Sequence, residues 1–442
     1  MSTGPKLEFG VDYLPGATPL EPEMKLEAQM VFAGFGIVAP DFKRDDYASL
    51  DVKGKIVVLL AGAPTTLPTE ERAHYANIVS KREMAAKLGA VGIILVDTPT
   101  REKVWSFAER TTDWRYRGAT WLNSAGVPWY PGSAAPVLAS ISLIGAAKLF
   151  DGIPGGADTV LAASESKAGN PKRMALLSTA RIALKNEINR VMSSNVAGLL
   201  EGSDPVLKDQ VIVLSGHLDH TGICPEVKGD TICNGAMDNA MGIASMIEVA
   251  HGFKHLKARP KRSILFLAVT AEEKGLVGSE YFAQNPTMPQ ANLVANVNLD
   301  MPIVTYDFTD VVAFGAERSS IGPAVARAGA SMGISLVPDP QPEQGRFTRS
   351  DHYRFVQQGI PSVFLVTGPG GKGAVAGAEF RMTNYHQPSD DMNLPFNWGA
   401  TEKFVGLNLA IARDLADAAD RPRWKKGDFF GTLYNGYGSA GE

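Results

Sequence analysis

Short apolar runs alternate with amphipathic segments through the second half of the chain. Apolar runs bounded by loops predict buried strands, and apolar positions that recur at helical spacing predict helices. Strands are predicted at Val211–Leu214, Ser263–Val269, Leu293–Leu299, Val311–Phe314 and Ser362–Val366. Helices are predicted at Gly242–His255, Ser279–Gln284, Ile321–Met332, His352–Gln358 and Thr401–Ala418. Strands that lack polar alternation and are separated by helices indicate a mixed α/β sheet covered on both faces.

A separate block extends from about residue 28 to 165. Its predicted strands are Val31–Phe32, Lys55–Leu60, Val91–Val96 and Pro136–Ser142. A helix is predicted at Glu70–Leu88, because Gly89 supplies a stop signal after it. An irregular stretch, Thr111–Ala135, contains Trp114, Trp121 and Trp129. The one histidine of the block, His74, lies in a charged helical context and is expected at the surface, so this block carries no candidate chemistry.

Composition narrows the class of protein. The 442 residues include 43 Lys+Arg and 47 Asp+Glu, which gives a formal net charge of −4. That balance argues against a nucleic-acid binder or a polybasic membrane-surface protein. With two cysteines, a disulfide scaffold and a Cys-rich zinc module are excluded. No apolar run approaches the ~18 residues of a membrane span, and the N-terminus lacks a signal-peptide pattern.

Polar residues follow the predicted strands at the ends where open α/β sheets place ligand sites. His217 and Asp219 come directly after the first of these strands, two residues apart, so they face the same side of an extended segment. A histidine beside a carboxylate is typical of a metal site, where the carboxylate fixes the imidazole tautomer. A buried histidine held by an aspartate for structural reasons is the equal alternative.

Four more segments carry ligand-type side chains. Asp238 precedes a predicted helix, where an N-cap role is the simpler interpretation. The adjacent Glu272 and Glu273 follow an apolar strand, and by themselves they are typical of solvated loop charge. Asp300 closes another apolar strand, an uncommon place for an unpaired carboxylate. His386 follows a Gly-rich loop.

Together these segments supply two histidines, three carboxylates and one additional glutamate. This donor set matches a two-zinc site in which one carboxylate bridges both ions. The sequence has no HExxH motif, which excludes a zincin. It has no GxSxG motif either, which excludes the nucleophile-elbow serine hydrolases.

The order of motifs H-x-D, G-A-x-D-N, E-E-x-G, N-x-D-M, S-D-H, G-I-P and Y-H-x-P-S-D resembles the M28 family of co-catalytic zinc aminopeptidases. The first block resembles the protease-associated (PA) domain that one branch of that family inserts, on Ala33–Val38, Asp45–Tyr47 and Val52–Val57. The resemblance implies an α/β fold: a mixed-sheet, phosphorylase/hydrolase-like zinc exopeptidase domain with an inserted, mostly β PA domain. The expected domains are an N-terminal remnant of the catalytic domain at 1–27, the PA domain at 28–165 and the catalytic domain at 166–442.

The resemblance also implies a role for each matching residue and two Zn²⁺ per chain. The implied metal ligands are His217, Asp238, Glu273, Asp300 and His386. Asp238 would bridge the ions, and a cis peptide is expected between Asp238 and Asn239. Glu272 would be the general base that activates a bridging water, Asp219 would orient His217, and Tyr385 would donate to the substrate carbonyl oxygen. His220 is expected to be structural or to lie outside the ligand shell.

The implied function is removal of N-terminal residues from peptides, with peptides as the partners and neither nucleic acid nor a membrane span involved. A carboxypeptidase is one alternative within the fold, because Arg346, Arg349 or Arg381 could bind a substrate carboxylate. A single-zinc cyclase is a second, which the presence of all five ligand types disfavours. A non-catalytic, receptor-like protein is the alternative from another class, although such relatives have lost ligands that this sequence keeps.

Several points stay open in the sequence. The resemblance implies export to the periplasm or the exterior, with a cytoplasmic location as the alternative. Pairing of Cys224 with Cys233 is undecided. Asp351 and His352 are expected to have a structural or substrate-side role. The Gly368–Gly373 segment is expected to be a flexible loop, and the catalytic domain is expected to be short at its N-terminus.

Overall fold

A computed structural model describes residues 6–112 and 118–440. The chain divides into two compact units. The first unit comprises Met1–Val191 and Gln341–Thr348, and the second comprises Met192–Pro340 and Arg349–Glu442. Trp114 lies outside the described residues. Within the described residues, no helix has the length and apolar character needed to cross a membrane.

The first unit is built on a six-stranded sheet in the order β1-β7-β6-β5-β2-β8. The strands of this unit, with the separate β3–β4 pair, are β1 Tyr13–Pro15, β2 Glu23–Phe32, β3 Val38–Ala39, β4 Arg44–Asp45, β5 Ile56–Leu60, β6 Gly92–Val96, β7 Val137–Ile141 and β8 Met174–Lys185. Its helices are α1 Thr69–Ala76, α2 Ile78–Lys87, α3 Pro99–Val104, α4 Phe107–Thr112, α5 Leu143–Leu149 and α6 Gly156–Glu165. The neighbours β2, β5, β6 and β7 run parallel. Helices therefore accompany a largely parallel sheet, and the expected mostly β character is not observed.

The boundary of this unit differs from the predicted one. β8 pairs antiparallel with β2 from Glu23↔Lys185 to Phe32↔Met174, and β1 pairs with β7. Segments that had been assigned to the catalytic domain, before residue 28 and after residue 165, therefore lie in the first unit. β8 was missed because polar residues interrupt its apolar positions after Leu177, and exposed positions alternate along most of its length.

Two further predictions for the first unit, the helix at 70–88 and the exposure of His74, also differ from the structure. The helix predicted at 70–88 is interrupted at Asn77, whose backbone is extended and whose side chain accepts from the N–H of Val79 and caps α2. His74, expected at the surface, is partly buried in α1, and burial lowers its pKa to about 4.

The second unit is built on a seven-stranded mixed sheet in the order β16-β15-β17-β14-β10-β13-β9. Its strands, with the separate β11–β12 hairpin, are β9 Val196–Leu200, β10 Val211–His217, β11 Gly222–Val227, β12 Asp230–Cys233, β13 Ser263–Val269, β14 Leu293–Leu299, β15 Asp310–Phe314, β16 Ser335–Leu336 and β17 Ser362–Thr367. Its helices are α7 Met241–His255, α8 Val277–Gln284, α9 Ile321–Ser331, α10 His352–Val356, α11 Gly373–Thr383, α12 Trp398–Asp417 and α13 Phe429–Leu433. The mixed α/β architecture predicted for this region is confirmed.

The centre of the second sheet is buried. Every residue of β10 and β14 is buried, and α7, α9 and α12 pack apolar side chains into the same core. The Gly-rich segment expected to be a flexible loop is a defined turn before α11. Its Gly368 N–H donates to the carbonyl of Asp310, and its Gly370 N–H donates to the Asp310 carboxylate. Cys224 and Cys233 form a disulfide across the β11–β12 hairpin.

Candidate metal centre

Three parallel strands bring the predicted ligands to one edge of the sheet. β10 lies between β13 and β14 and runs parallel to both, so their carboxyl ends coincide. His217 is the last residue of β10 and pairs with Val269, the last of β13. Glu273 follows β13, and Asp300 follows β14 directly. Parallel topology therefore turns residues distant in sequence into neighbours.

The two carboxylate oxygens of Asp238 face two different histidines. Its Oδ1 lies 3.2 Å from His217 Nε2, and its Oδ2 lies 3.4 Å from His386 Nε2. The same His217 nitrogen is 3.3 Å from Asp300 Oδ1, and the same His386 nitrogen is 3.2 Å from Glu273 Oε2. The five predicted ligands are thus brought together as two adjoining groups that share Asp238.

Asp238 is held by its backbone and does not cap α7. A cis peptide joins Asp238 to Asn239, as expected. The carboxylate of Asp390 accepts hydrogen bonds from the N–H groups of Met237 (2.8 Å) and Asp238 (3.1 Å). Sequence reasoning gave Asp390 no role, although it lies in the same motif as His386.

Asn239 ties the turn of Asp238 to the end of β14. Its amide donates to the carbonyl of Leu299 (3.0 Å), and its Oδ1 accepts from the N–H groups of Gly242 (3.1 Å) and Met301 (3.0 Å). Asn239 is 1% exposed. The sequence alone does not indicate this role, because both of its distant partners are backbone groups that carry no sequence signal.

Asp219 acts differently from the prediction. His217 Nδ1 is oriented by the backbone carbonyl of Asp219 at 3.0 Å, not by its carboxylate. The carboxylate accepts from the N–H groups of Glu272 (3.0 Å) and Glu273 (3.4 Å) instead. The prediction assumed that the strand continues past His217, but β10 ends there, and the side chain is turned toward the loop after β13.

A chain of buried polar side chains runs beneath Asp300. Asn296 donates to Ser215 (2.8 Å), Ser215 to Asn298 (2.7 Å), and Asn298 to Ser350 (2.7 Å). Ser350 in turn donates to Asp300 Oδ2. Because Oδ2 is occupied in this way, Oδ1 is left to face His217.

The charges of the centre show that it attracts cations. Burial opposes a charge on His386, but Asp238 and Glu273 outweigh burial and raise its pKa to about 9. Burial also opposes a charge on His217, but the negative charges of Glu272 and Asp300 outweigh burial and raise the pKa of His217 well above its usual value. The carboxylates thus hold positive charge where both imidazoles meet them.

Glu272 has a different electrostatic environment from Glu273. Burial raises the pKa of Glu272 well above its usual value, and the negative charges of Asp351 and Asp300 add to that effect. Burial acts in the same direction at Glu273, but the adjacent imidazoles of His220 and His386 outweigh it and lower the pKa of Glu273. Adjacent glutamates with opposite shifts are suited to different tasks, one to holding a proton and the other to ligating a cation.

Tyr385 and the residues before α10 complete the surroundings. The Tyr385 ring stacks on His386 with centroids 3.8 Å apart, and burial raises the pKa of its hydroxyl. Asp351 and His352 are both 0% exposed, which favours the structural one of their two expected roles.

The side chains of this centre are suitable ligands for divalent metal ions. His217, Asp238 and Asp300 place ligand atoms within 4.8 Å of one another, and so do His220, Asp238 and Glu273. Among the described residues, the buried His386 Nε2 and Glu273 Oε1 make no hydrogen bond. Nitrogen and carboxylate donors clustered in this way are the ligands of zinc and similar ions.

Comparison with known families supports this interpretation. Residues 195–412 match the model of peptidase family M28. This part of the chain is similar to the peptidases of family M28. All five predicted ligands and Glu272 lie within the matched residues.

Similar proteins are found among fungal and bacterial peptidases. A protein of Pyrenophora teres f. teres named "probable zinc metalloprotease" is 39% identical over 110 residues, which is 24% of this chain and 22% of that protein. A protein of Aspergillus oryzae named "probable leucine aminopeptidase 2" is 29% identical over 220 residues, 45% of this chain and 40% of that protein. The chain thus spans less than half the length of either curated relative.

Among solved structures, an aminopeptidase from Aneurinibacillus sp. strain AM-1 aligns with 18% identity and a TM-score of 0.45. The alignment covers 95% of this chain and 82% of that one.

Proposed function

We propose that this chain is a zinc-dependent aminopeptidase with two metal positions that share Asp238. The observation that carries the proposal is the orientation of Asp238, whose two oxygens face His217 and His386 separately. One position would be held by His217, Asp238 and Asp300, and the other by Asp238, Glu273 and His386. The match to peptidase family M28 supports peptides as the substrate class.

The mechanism assigns proton transfer to Glu272. Bound ions would supply the positive charge that makes water a nucleophile near neutral pH. Glu272, fixed by the hydrogen bond from its N–H to Asp219, would accept the proton of the attacking water and pass it to the leaving amine nitrogen. Tyr385 keeps its proton because burial raises its pKa, so it would donate to the substrate carbonyl oxygen.

The similarity to the Aspergillus oryzae protein named "probable leucine aminopeptidase 2" supports a substrate amine over a substrate carboxylate. One observation supports a carboxypeptidase as the second candidate: Arg349 is close enough to Tyr385 to act on its pKa.

The first unit is proposed to be the PA domain, and the protein is proposed to be exported. The Cys224–Cys233 disulfide supports export, because disulfides persist in oxidising compartments. The disulfide is tested by denaturing the purified protein and counting its free thiols with and without reductant. Two thiols before reduction would contradict it.

The experiment that tests the function combines metal analysis with product analysis. Purified protein should contain about two zinc equivalents, release N-terminal residues from a mixed peptide library and lose this activity on chelation. The matched control is the same library with acetylated N-termini, which should not be cleaved. Full activity in metal-free protein would overturn the metal mechanism, and release of C-terminal residues would favour the carboxypeptidase.

A further inference from the structure

The proposed metal position at Glu273 and His386 has one more possible ligand, His220, than the position at His217 and Asp300. His220 Nδ1 lies 2.9 Å from Glu273 Oε1, whereas His386 Nε2 lies 3.2 Å from Glu273 Oε2. The two imidazoles therefore meet opposite oxygens of one carboxylate, with ring centroids 5.5 Å apart. His220 also places a nitrogen within 4.8 Å of ligand atoms of both Asp238 and Glu273.

The polar atoms at this position lack hydrogen-bond partners. The His220 side chain is 8% exposed. In the part of the chain that the structure describes, neither of its ring nitrogens makes a hydrogen bond, and the same holds for Glu273 Oε1 and His386 Nε2. Buried polar groups are normally satisfied. Three of these atoms, His220 Nδ1, Glu273 Oε1 and His386 Nε2, belong to one cluster, and a single cation bound among them would satisfy all three.

The backbone opposite His220 leaves room for its ring. Gly235 has φ +69°, and a Cβ there would lie 2.4 Å from the Asp238 carbonyl oxygen and 2.6 Å from His220 Cγ. A side chain at position 235 would therefore displace the backbone of Asp238 or the imidazole of His220. Glycine at this position lets both residues lie close to it.

We propose that His220 is a fourth protein ligand of the second metal position, joining Asp238, Glu273 and His386. This inference rests on the proposed two-metal centre. Two imidazoles and two carboxylates would give the second position four protein ligands, whereas three residues would hold the first. The second ion would therefore bind more tightly.

Cobalt binding to metal-free protein tests this directly, because Co²⁺ absorption reports coordination number and ligand type. The wild type should bind two equivalents in two steps. His220→Gln can still donate to Glu273 but is a weak ligand, so it should weaken the tighter step at least about tenfold and change its absorption. The control is His251→Gln, since His251 is an exposed residue of α7 paired with Glu248.

Circular dichroism of the metal-free variants confirms that each is folded. Unchanged affinity and absorption in His220→Gln, with two equivalents bound by the wild type, would overturn the role of His220 and leave the proposed function standing. A wild type that binds fewer than two equivalents would overturn both. Weakening in His220→Ala with full retention in His220→Gln would also overturn ligation, because it would show a hydrogen-bonding role.

Discussion

The carboxylate of Asp219 accepts a hydrogen bond from the backbone N–H of Glu272 at 3.0 Å. A second N–H, that of Glu273, points to the other oxygen at 3.4 Å. One side chain at the end of β10 thus fixes the turn after β13, which carries both the proposed base and a proposed ligand.

Asp219→Asn should lower kcat by about 10–100-fold with a smaller change in KM. The amide keeps one acceptor and places a donor against the other N–H, so the turn of Glu272 is no longer held on both sides. Steady-state kinetics on a short peptide checks this. An unchanged kcat would show that the turn needs no support from Asp219.

Glu272→Gln should reduce turnover by about 10²–10⁴-fold while metal content stays close to that of the wild type. The amide has the same shape but cannot accept a proton. Turnover and metal content measured on the same preparation separate the two effects. Loss of metal would show that Glu272 is a ligand and that the base has been misassigned.

Asp390→Asn should weaken metal retention by about 10–100-fold, because the N–H groups of Met237 and Asp238 then share one good acceptor. Competition with a chelator measures the change. Asp391→Asn is the matched control, since Asp391 accepts from Asn393 in its own turn. Equal retention in both variants would contradict a role for Asp390 in placing Asp238.

Lys81 in α2 predicts a pH dependence of stability. It is 1% exposed, and burial lowers its pKa to about 7, with Arg44 acting in the same direction and Asp46 opposing it. Between about pH 7 and 10 the unfolded chain holds the proton that the folded protein has released. The contribution of Lys81 to the free energy of unfolding therefore rises across this range, by on the order of 3–5 kcal/mol.

Lys81→Met should remove that rise and stabilise the protein most at pH 7 and below. Urea unfolding at several pH values, followed by tryptophan fluorescence, measures the difference from wild type. Lys87→Met, at an exposed position of the same helix, should leave the pH dependence unchanged. Parallel curves for wild type and Lys81→Met would disprove the prediction.

Much of the second unit could be predicted because its central strands are buried on both faces and have uninterrupted apolar runs. The ligands were predictable for a related reason: His217 and Asp300 occur where such runs stop. β8 was not predicted because exposed and partly buried positions alternate along most of it. α11 was missed because glycines precede it, although Asp310 orders their turn.

The supporting contacts of the centre could not be predicted in the same way. Asn239 and Asp390 bind backbone N–H and carbonyl groups far away in sequence, and any residue supplies such groups. The carboxylate of Asp219 was given the wrong partner because a spacing of two fixes a common face only while a strand lasts. The proximity of His220 to Glu273 depends on the loop after β10, whose path the residue pattern does not encode.

The composition of the first unit has a consequence for how the protein is made. Its sheet is complete once β8 has been synthesised, but the unit also includes Gln341–Thr348. During translation the ribosome must make roughly 150 further residues before this segment emerges, which at about 5–20 residues per second takes on the order of ten seconds. For that interval the first unit exists without its last piece, and chaperones that bind nascent chains would encounter it in that form.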